Sequence, residues 1–222
     1  MDTAELLLVT CRHWTSGEPA HATLDAALSE RGITSRWVVW DDPFVDWSAA
    51  RMVAVRSSWD YDTRLPDFLG WAGSVGRALL HGVDAFRWNT DKAYLLDLAD
   101  EGLPVVPTLL ADNGIDLRAA IARMAPAVVK PRVGLDGRGI VVVYDAGGWL
   151  PVETHGAWMV QPLVASVMDE GEASVFVIDG KPVSQVRRVA SRKDIRVHER
   201  YGGTSYLVPL DPLAAVLAVD AV

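Results

Sequence analysis

The stretch VVKPRVGLDGRG, Val128 to Gly139, runs an apolar strand into a lysine, a proline and three glycines. Glycines at 134, 137 and 139 let a backbone approach a ligand closely and turn its N–H groups toward it. Lys130, on the strand just before, places a positive charge beside the same ligand. Taken alone, the stretch reads first as a glycine hairpin between two strands. Its spacing excludes three commoner phosphate motifs. It lacks the GxxxxGK[ST] of a P-loop, and it is not a Rossmann fingerprint because it leads into a strand rather than a helix. In a kinase the glycine loop precedes the strand lysine, the reverse of this order.

Working outward, Leu6–Cys11, Thr34–Trp40 and Met52–Ser57 read as strands, with helices over Ala22–Arg31 and Leu65–Arg77 and a short apolar piece at Ala78–His81. This alternation predicts a parallel sheet with crossovers over the first ~85 residues. Ligands of such sheets sit beyond the C-terminal strand ends, which makes Arg56, Ser57, Ser58, Trp59, Asp60 and Tyr61 candidates, although a tryptophan there also suits packing. Asn89-Thr90-Asp91 predicts the cap of a helix from Lys92 to Asp100. A strand over Val105–Leu110 follows. Asp116 is read as the cap of a helix whose Leu117, Ala120, Ile121 and Met124 share one face. From Ala127 the pattern turns to strands, Ala127–Lys130, Gly139–Tyr144, Trp158–Val164, Ser174–Ile178 and Val183–Val189, the last two joined at the tight-turn pair Asp179-Gly180.

The 222 residues suffice for one large domain or two small ones. Apolar runs such as Leu6–Val9 fall far short of the ~20 residues that span a bilayer, and no secretory signal pattern opens the chain. A single cysteine, Cys11, excludes an intramolecular disulfide and suits a reducing cytosol. The net charge of −8 disfavours nucleic acid and anionic membranes as partners. Within that acidic chain Arg187, Arg188, Arg192, Lys193, Arg196 and Arg200 crowd together, offset by Asp194 and Glu199. They form either a solvated hairpin face or a site for an anionic small molecule.

Three further features change the weight of the opening stretch. Lys92 supplies a second lysine from another element, and two such lysines can share a polyphosphate's charge. Met159-Val160-Gln161-Pro162-Leu163 is an apolar strand suited to the edge and faces of an adenine. Arg188, Arg196 and Gly202-Gly203 follow at the end of a hairpin. In this order the set Lys92, Lys130, Gly134–Gly139, Gln161-Pro162-Leu163, Glu172, Asp179-Gly180, Arg188, Arg196, Gly202-Gly203 resembles an ATP-grasp protein. The similarity is strongest to the branch of prokaryotic glutathione synthetase and ribosomal-protein glutamate ligases, and it covers residues ~50 to 210. The tryptophan-rich beginning and Arg87-Trp88-Asn89-Thr90-Asp91-Lys92 also resemble small ATP-grasp ligases of antibiotic pathways, such as the one that closes the D-cycloserine ring.

The resemblance implies an α/β fold: a Rossmann-like pre-ATP-grasp domain over residues 1–88, a nucleotide-lid subdomain over 89–165, and the beginning of an incomplete C-terminal α+β subdomain over 166–222. It implies ATP as cofactor. Lys92 and Lys130 would contact its phosphates, and the loop with Gly134, Gly137, Arg138 and Gly139 would close over them. Val160, Gln161, Pro162 and Leu163 would meet the adenine, largely through the backbone, and Glu172, at the acidic position just before the central hairpin, is counted with the nucleotide contacts. Arg188 and Arg196 would hold an acyl phosphate or a substrate carboxylate. Arg56, Ser57, Trp59, His198, Gly202 and Gly203 would surround the substrate, with His198 standing where the synthetases carry Asn. The implied chemistry activates a small-molecule carboxylate or carbamoyl group as an acyl phosphate for attack by an amine. The family's Mg²⁺ ligands, ending in a Glu-x-Asn strand, have no counterpart up to Val222, and Asp211 and Asp220 read as a helix cap and a helix surface. Mg²⁺ ligands are therefore expected beyond residue 222, and the chain is expected to turn over little or no ATP by itself. A non-catalytic ATP-binding module is the alternative, and a plain α/β protein with a glycine hairpin is the third. A cytoplasmic protein acting on an amino-acid-like partner is expected, with room for a homodimer.

Overall fold

The computed structural model describes residues 5–145, 147, 156–191 and 194–222. It divides into two compact units, the first ending at Asp91 and the second beginning at Lys92.

In the first unit, β1 (Leu6–Thr10) lies between β2 (Ser35–Val39) and β3 (Met52–Ser57), all parallel in the order β2-β1-β3. Leu7, Leu8 and Val9 are buried in succession because both faces of the central strand are covered. Helix α1 (His21–Glu30) makes the first crossover, and α2 (Leu65–Val75) packs Phe68, Ala72 and Val75 into a core with Val9, Val38, Trp40 and Val53. Leu79 bridges to Val53 as a further parallel contact, which explains the apolar piece after α2. Helix α3 (Gly82–Asn89) was not expected. Asn89 and Thr90 close it instead of opening the next helix: the Thr90 hydroxyl donates back to the Phe86 carbonyl at 2.8 Å. The following helix, α4, therefore begins later, at Tyr94–Asp100.

The second unit holds two antiparallel sheets. One has the order β4-β7-β5-β6, from β4 (Leu109–Ala111), β5 (Ala127–Pro131), β6 (Val141–Val143) and β7 (Trp158–Pro162). Helix α5 (Gly114–Met124) covers it, burying Leu117, Ala120 and Ile121 against Ala127, Val129 and Val160. Its cap is Asn113 and not Asp116. The Asn113 side-chain oxygen accepts from the N–H groups of Ile115 at 2.9 Å and Asp116 at 3.0 Å, and its amide donates to the Asp116 carboxylate. The expected cap thus serves the actual one from inside the first turn. Asn113→Ala is expected to cost about 1 kcal/mol, seen as a lower urea midpoint at unchanged m-value.

The other sheet has the order β10-β9-β8. A single-turn helix α6 (Ser166–Asp169) leads into β8 (Glu172–Ile178), β9 (Lys181–Val189) and β10 (Thr204–Val208), the last of which the alternation of residues did not announce. Asp179 and Gly180 both have positive φ (51° and 69°), as a two-residue type I′ hairpin requires. Helix α7 (Pro212–Asp220) packs on β8 and β9, capped by Asp211, whose carboxylate accepts from Ala214 N at 2.8 Å. Buried Gln185 fixes this start by accepting from the Asp211 N–H at 3.0 Å. No helix among the described residues is long and apolar enough to cross a membrane.

Candidate nucleotide site

Lys130 stands on β5, in the interior of its sheet, opposite Met159 of β7. Burial lowers the pKa of its ammonium below the ordinary lysine value, against the opposing pull of the Glu172 charge. Glu172 opens β8 opposite Arg188 of β9, and their side chains approach to 3.5 Å. Glu172 thus lies within electrostatic reach of Lys130 and pairs with Arg188.

The glycine loop leaves β5 and is tied at both ends of its turn. The Lys92 backbone N–H donates to Arg132 O at 3.1 Å, and its ammonium donates to the carbonyls of Gly134 at 2.9 Å and Arg132 at 3.2 Å. Lys92 therefore fixes the entry of the loop through carbonyls, a role the sequence does not reveal. Asp136, Gly137 and Gly139 have positive φ, and a Cβ on Gly139 would stand 2.9 Å from the Pro131 ring, so the chain folds back on itself there. Arg138 N–H donates to Leu135 O at 3.0 Å, closing the turn. The far side of the loop meets the segment after β9, where Asp136 pairs with Arg200 at 2.6 Å.

In that segment Asp194 chelates Arg196, accepting from its Nε at 2.9 and 3.0 Å and from Nη2 at 2.5 Å. These hydrogen bonds hold the Asp194 carboxyl below its ordinary range. The Arg196 guanidinium also lies over the Tyr201 ring, 3.4 Å from its centre. His198 Nδ1 is buried with no hydrogen-bond partner. Gly202 takes φ +83°, and a Cβ on Gly203 would fall 2.2 Å from the Val197 carbonyl oxygen. Arg192 and Lys193 lie outside the described residues.

On β7, Gln161 is buried and its amide donates to Thr108 Oγ1 at 2.9 Å, so the side chain is engaged within the protein. Pro162 ends the strand opposite Ala127, and the Leu163 N–H is held by Pro126 O at 2.8 Å. What this strand offers a flat base is its aliphatic surface and the backbone groups left outside these bonds.

The first-unit candidates separate. Ser57 is fully buried and its hydroxyl donates to Thr10 at 2.9 Å, so it is a link between strands rather than a surface group. Arg56 pairs with Glu18 at 2.5 Å. Trp59 remains half exposed and meets Trp14 edge to face, with ring centres 4.9 Å apart. Trp14 and its ring neighbour His13 were missed. They follow β1 at the same C-terminal strand ends, so the positional rule applied to β3 would have found them. Among the described residues no group of three or more His, Cys, Asp or Glu stands together as a metal site.

Residues 6–81 match the model of the N-terminal domain of D-cycloserine synthetase DcsG, and residues 95–219 match that of the ATP-grasp domain of prokaryotic glutathione synthetase. The cycloserine biosynthesis protein DcsG of Streptomyces lavendulae is 34% identical over 166 residues, covering 67% of this chain and 55% of that protein. A glutathione synthetase of Synechococcus elongatus is 28% identical over 147 residues, covering 60% of this chain and 42% of the relative. The chain thus spans about half the length of these curated relatives. The crystal structure of D-cycloserine synthetase DcsG superposes with a TM-score of 0.81 at 26% identity, covering 97% of this chain and 78% of that one. A RimK domain ATP-grasp protein from Sphaerobacter thermophilus shares the fold, with a TM-score of 0.70 at 18% identity over 98% and 80% of the two chains. With its second unit matched over most of its length, the chain belongs to the prokaryotic glutathione synthetase ATP-grasp family.

Proposed function

We propose that the protein is an ATP-dependent ligase that activates a small carboxylate or carbamoyl-type group as an acyl phosphate for attack by an amine. An amino-acid-like substrate of antibiotic biosynthesis, as in D-cycloserine ring closure, is its best-supported substrate class. The observation that carries the reading is the partly buried Lys130 on β5, at the root of a glycine loop that reaches the arginine segment. Lys130 and the loop N–H groups would hold the ATP phosphates, and the apolar face of β7 would hold the base. ATP, when bound, supplies the phosphoryl group that turns a carboxylate into an acyl phosphate. Arg188 and Arg196 would neutralise that group, since a guanidinium fork matches carboxylate and phosphate oxygens in pairs. Arg196 would exchange Asp194 for such a ligand, one anion for another. Trp59 would contribute to the substrate surface on the first unit. A cytoplasmic location accords with the single buried cysteine.

A second reading is an ATP-binding module without turnover, in which the same residues bind nucleotide alone. Two measurements on the full-length protein separate the readings. One is displacement of a fluorescent ADP analogue, and the other is ADP release with Mg²⁺ and a panel of amino acids including O-ureido-serine. Ligase function predicts saturable binding and acid-dependent release. Binding without release supports the module, and no binding sinks both.

A further inference from the structure

The two anion-handling segments of the second unit touch each other, and the contact is specific. Gly137 is buried against the segment after β9: a Cβ there would stand 3.1 Å from Arg196 Cδ, 3.1 Å from His198 Nδ1 and 3.2 Å from Tyr201 Cε2. One residue earlier, Asp136 adopts φ +54° and reaches Arg200 at 2.6 Å. Arg196 and Arg200 both lie over the Tyr201 ring, at 3.4 and 5.3 Å from its centre, so the ring is the floor of the contact. The two sides are 64 residues apart in sequence. Gly137 has no side chain and a left-handed backbone, and both properties are needed to seat it.

We propose that Asp136 and Gly137 clasp the glycine loop to the segment Arg196–Tyr201, so that the two open and close as one unit. Whatever orders the loop then also orders the arginines, and the reverse holds by linkage. Asp136 acts as a positioning residue for Arg200, and Tyr201 positions both arginines. This inference rests on the proposed ligase reading only for the identity of the ligands; the clasp exists in the chain without them.

Trypsin provides the test, because Arg138 is exposed beside the clasp and Arg196 lies across it. Asp136→Asn keeps the shape and tolerates a left-handed backbone, so it removes the charge without displacing the turn. Without nucleotide, Asp136→Asn is expected to speed cleavage after Arg138 and after Arg196 together, by about two- to five-fold for a partly exposed ion pair. Arg200→Gln should accelerate Arg138 cleavage equally, and the double variant no further, since both remove one interaction. Unchanged rates, faster cleavage at Arg138 alone, or additive effects in the double variant overturn the clasp. With ADP added, the wild type should be protected at both sites and Asp136→Asn at Arg138 alone. Absence of ADP protection everywhere, with the nucleotide-free results as expected, counts against nucleotide binding and leaves the clasp standing.

Discussion

Lys130→Met is expected to weaken nucleotide binding by about ten- to a hundred-fold, because a charge-assisted hydrogen bond to phosphate contributes about 1.5–3 kcal/mol. The same substitution should leave the melting temperature at neutral pH unchanged or higher. Burial lowers the Lys130 pKa from the ordinary 10.5, with Glu172 opposing that shift. The folded protein therefore gives up this proton before the unfolded chain does. Stability rises with pH between the folded value and 10.5, and the cost of the partly buried charge is present in full below that window. Methionine matches the lysine stem and removes the cost, although it leaves Glu172 to Arg188 alone. Displacement of a fluorescent ADP analogue and a thermal melt read the two effects. A variant that loses stability in step with affinity would indicate a structural lysine.

Gly203→Ala carries the largest expected structural effect in the candidate site. Its Cβ would lie 2.2 Å from the Val197 oxygen and 2.5 Å from the Val197 carbon, both backbone atoms that no rotamer can move. The Gly203 N–H donates to His198 O at 3.2 Å, so shifting either segment also breaks this closure. Overpacking of this kind costs about 1–3 kcal/mol. Relief by local displacement would carry His198, Tyr201 and Arg196 out of place. We expect a lower melting temperature together with loss of any anion-dependent activity. Gly202→Ala should be milder: its Cβ meets nothing closer than Ser191 Cβ at 3.5 Å, and only the positive φ opposes it.

The features legible in the sequence are those fixed by local chemistry or by order along the chain. Three strands alternating with helices gave the parallel sheet, Asp179-Gly180 gave the β8-β9 hairpin, and Lys130 fell at the end of a strand before the glycines, as expected. What escaped depends on partners distant in sequence. Ser57 looked available at a strand end, yet Thr10, 47 residues away, takes its hydroxyl. The side-chain amide of Gln161 is held by Thr108, 53 residues away, a bond that nothing in the local sequence announces. Nothing near the glycine loop in sequence reveals its anchors, whereas Lys92 and Arg200 hold it from both sides. Helix α3 was hidden because Asn and Thr serve either end of a helix, and the Thr90 bond to Phe86 O decides which.

The central claim, that Lys130 and the glycine loop hold a nucleotide's phosphates, is tested most directly by hydrogen exchange of the protein with and without ATP. The account predicts slower exchange in peptides covering residues 128–139 and 158–163. ATP that binds while protecting only other segments, such as residues 6–81, would contradict it.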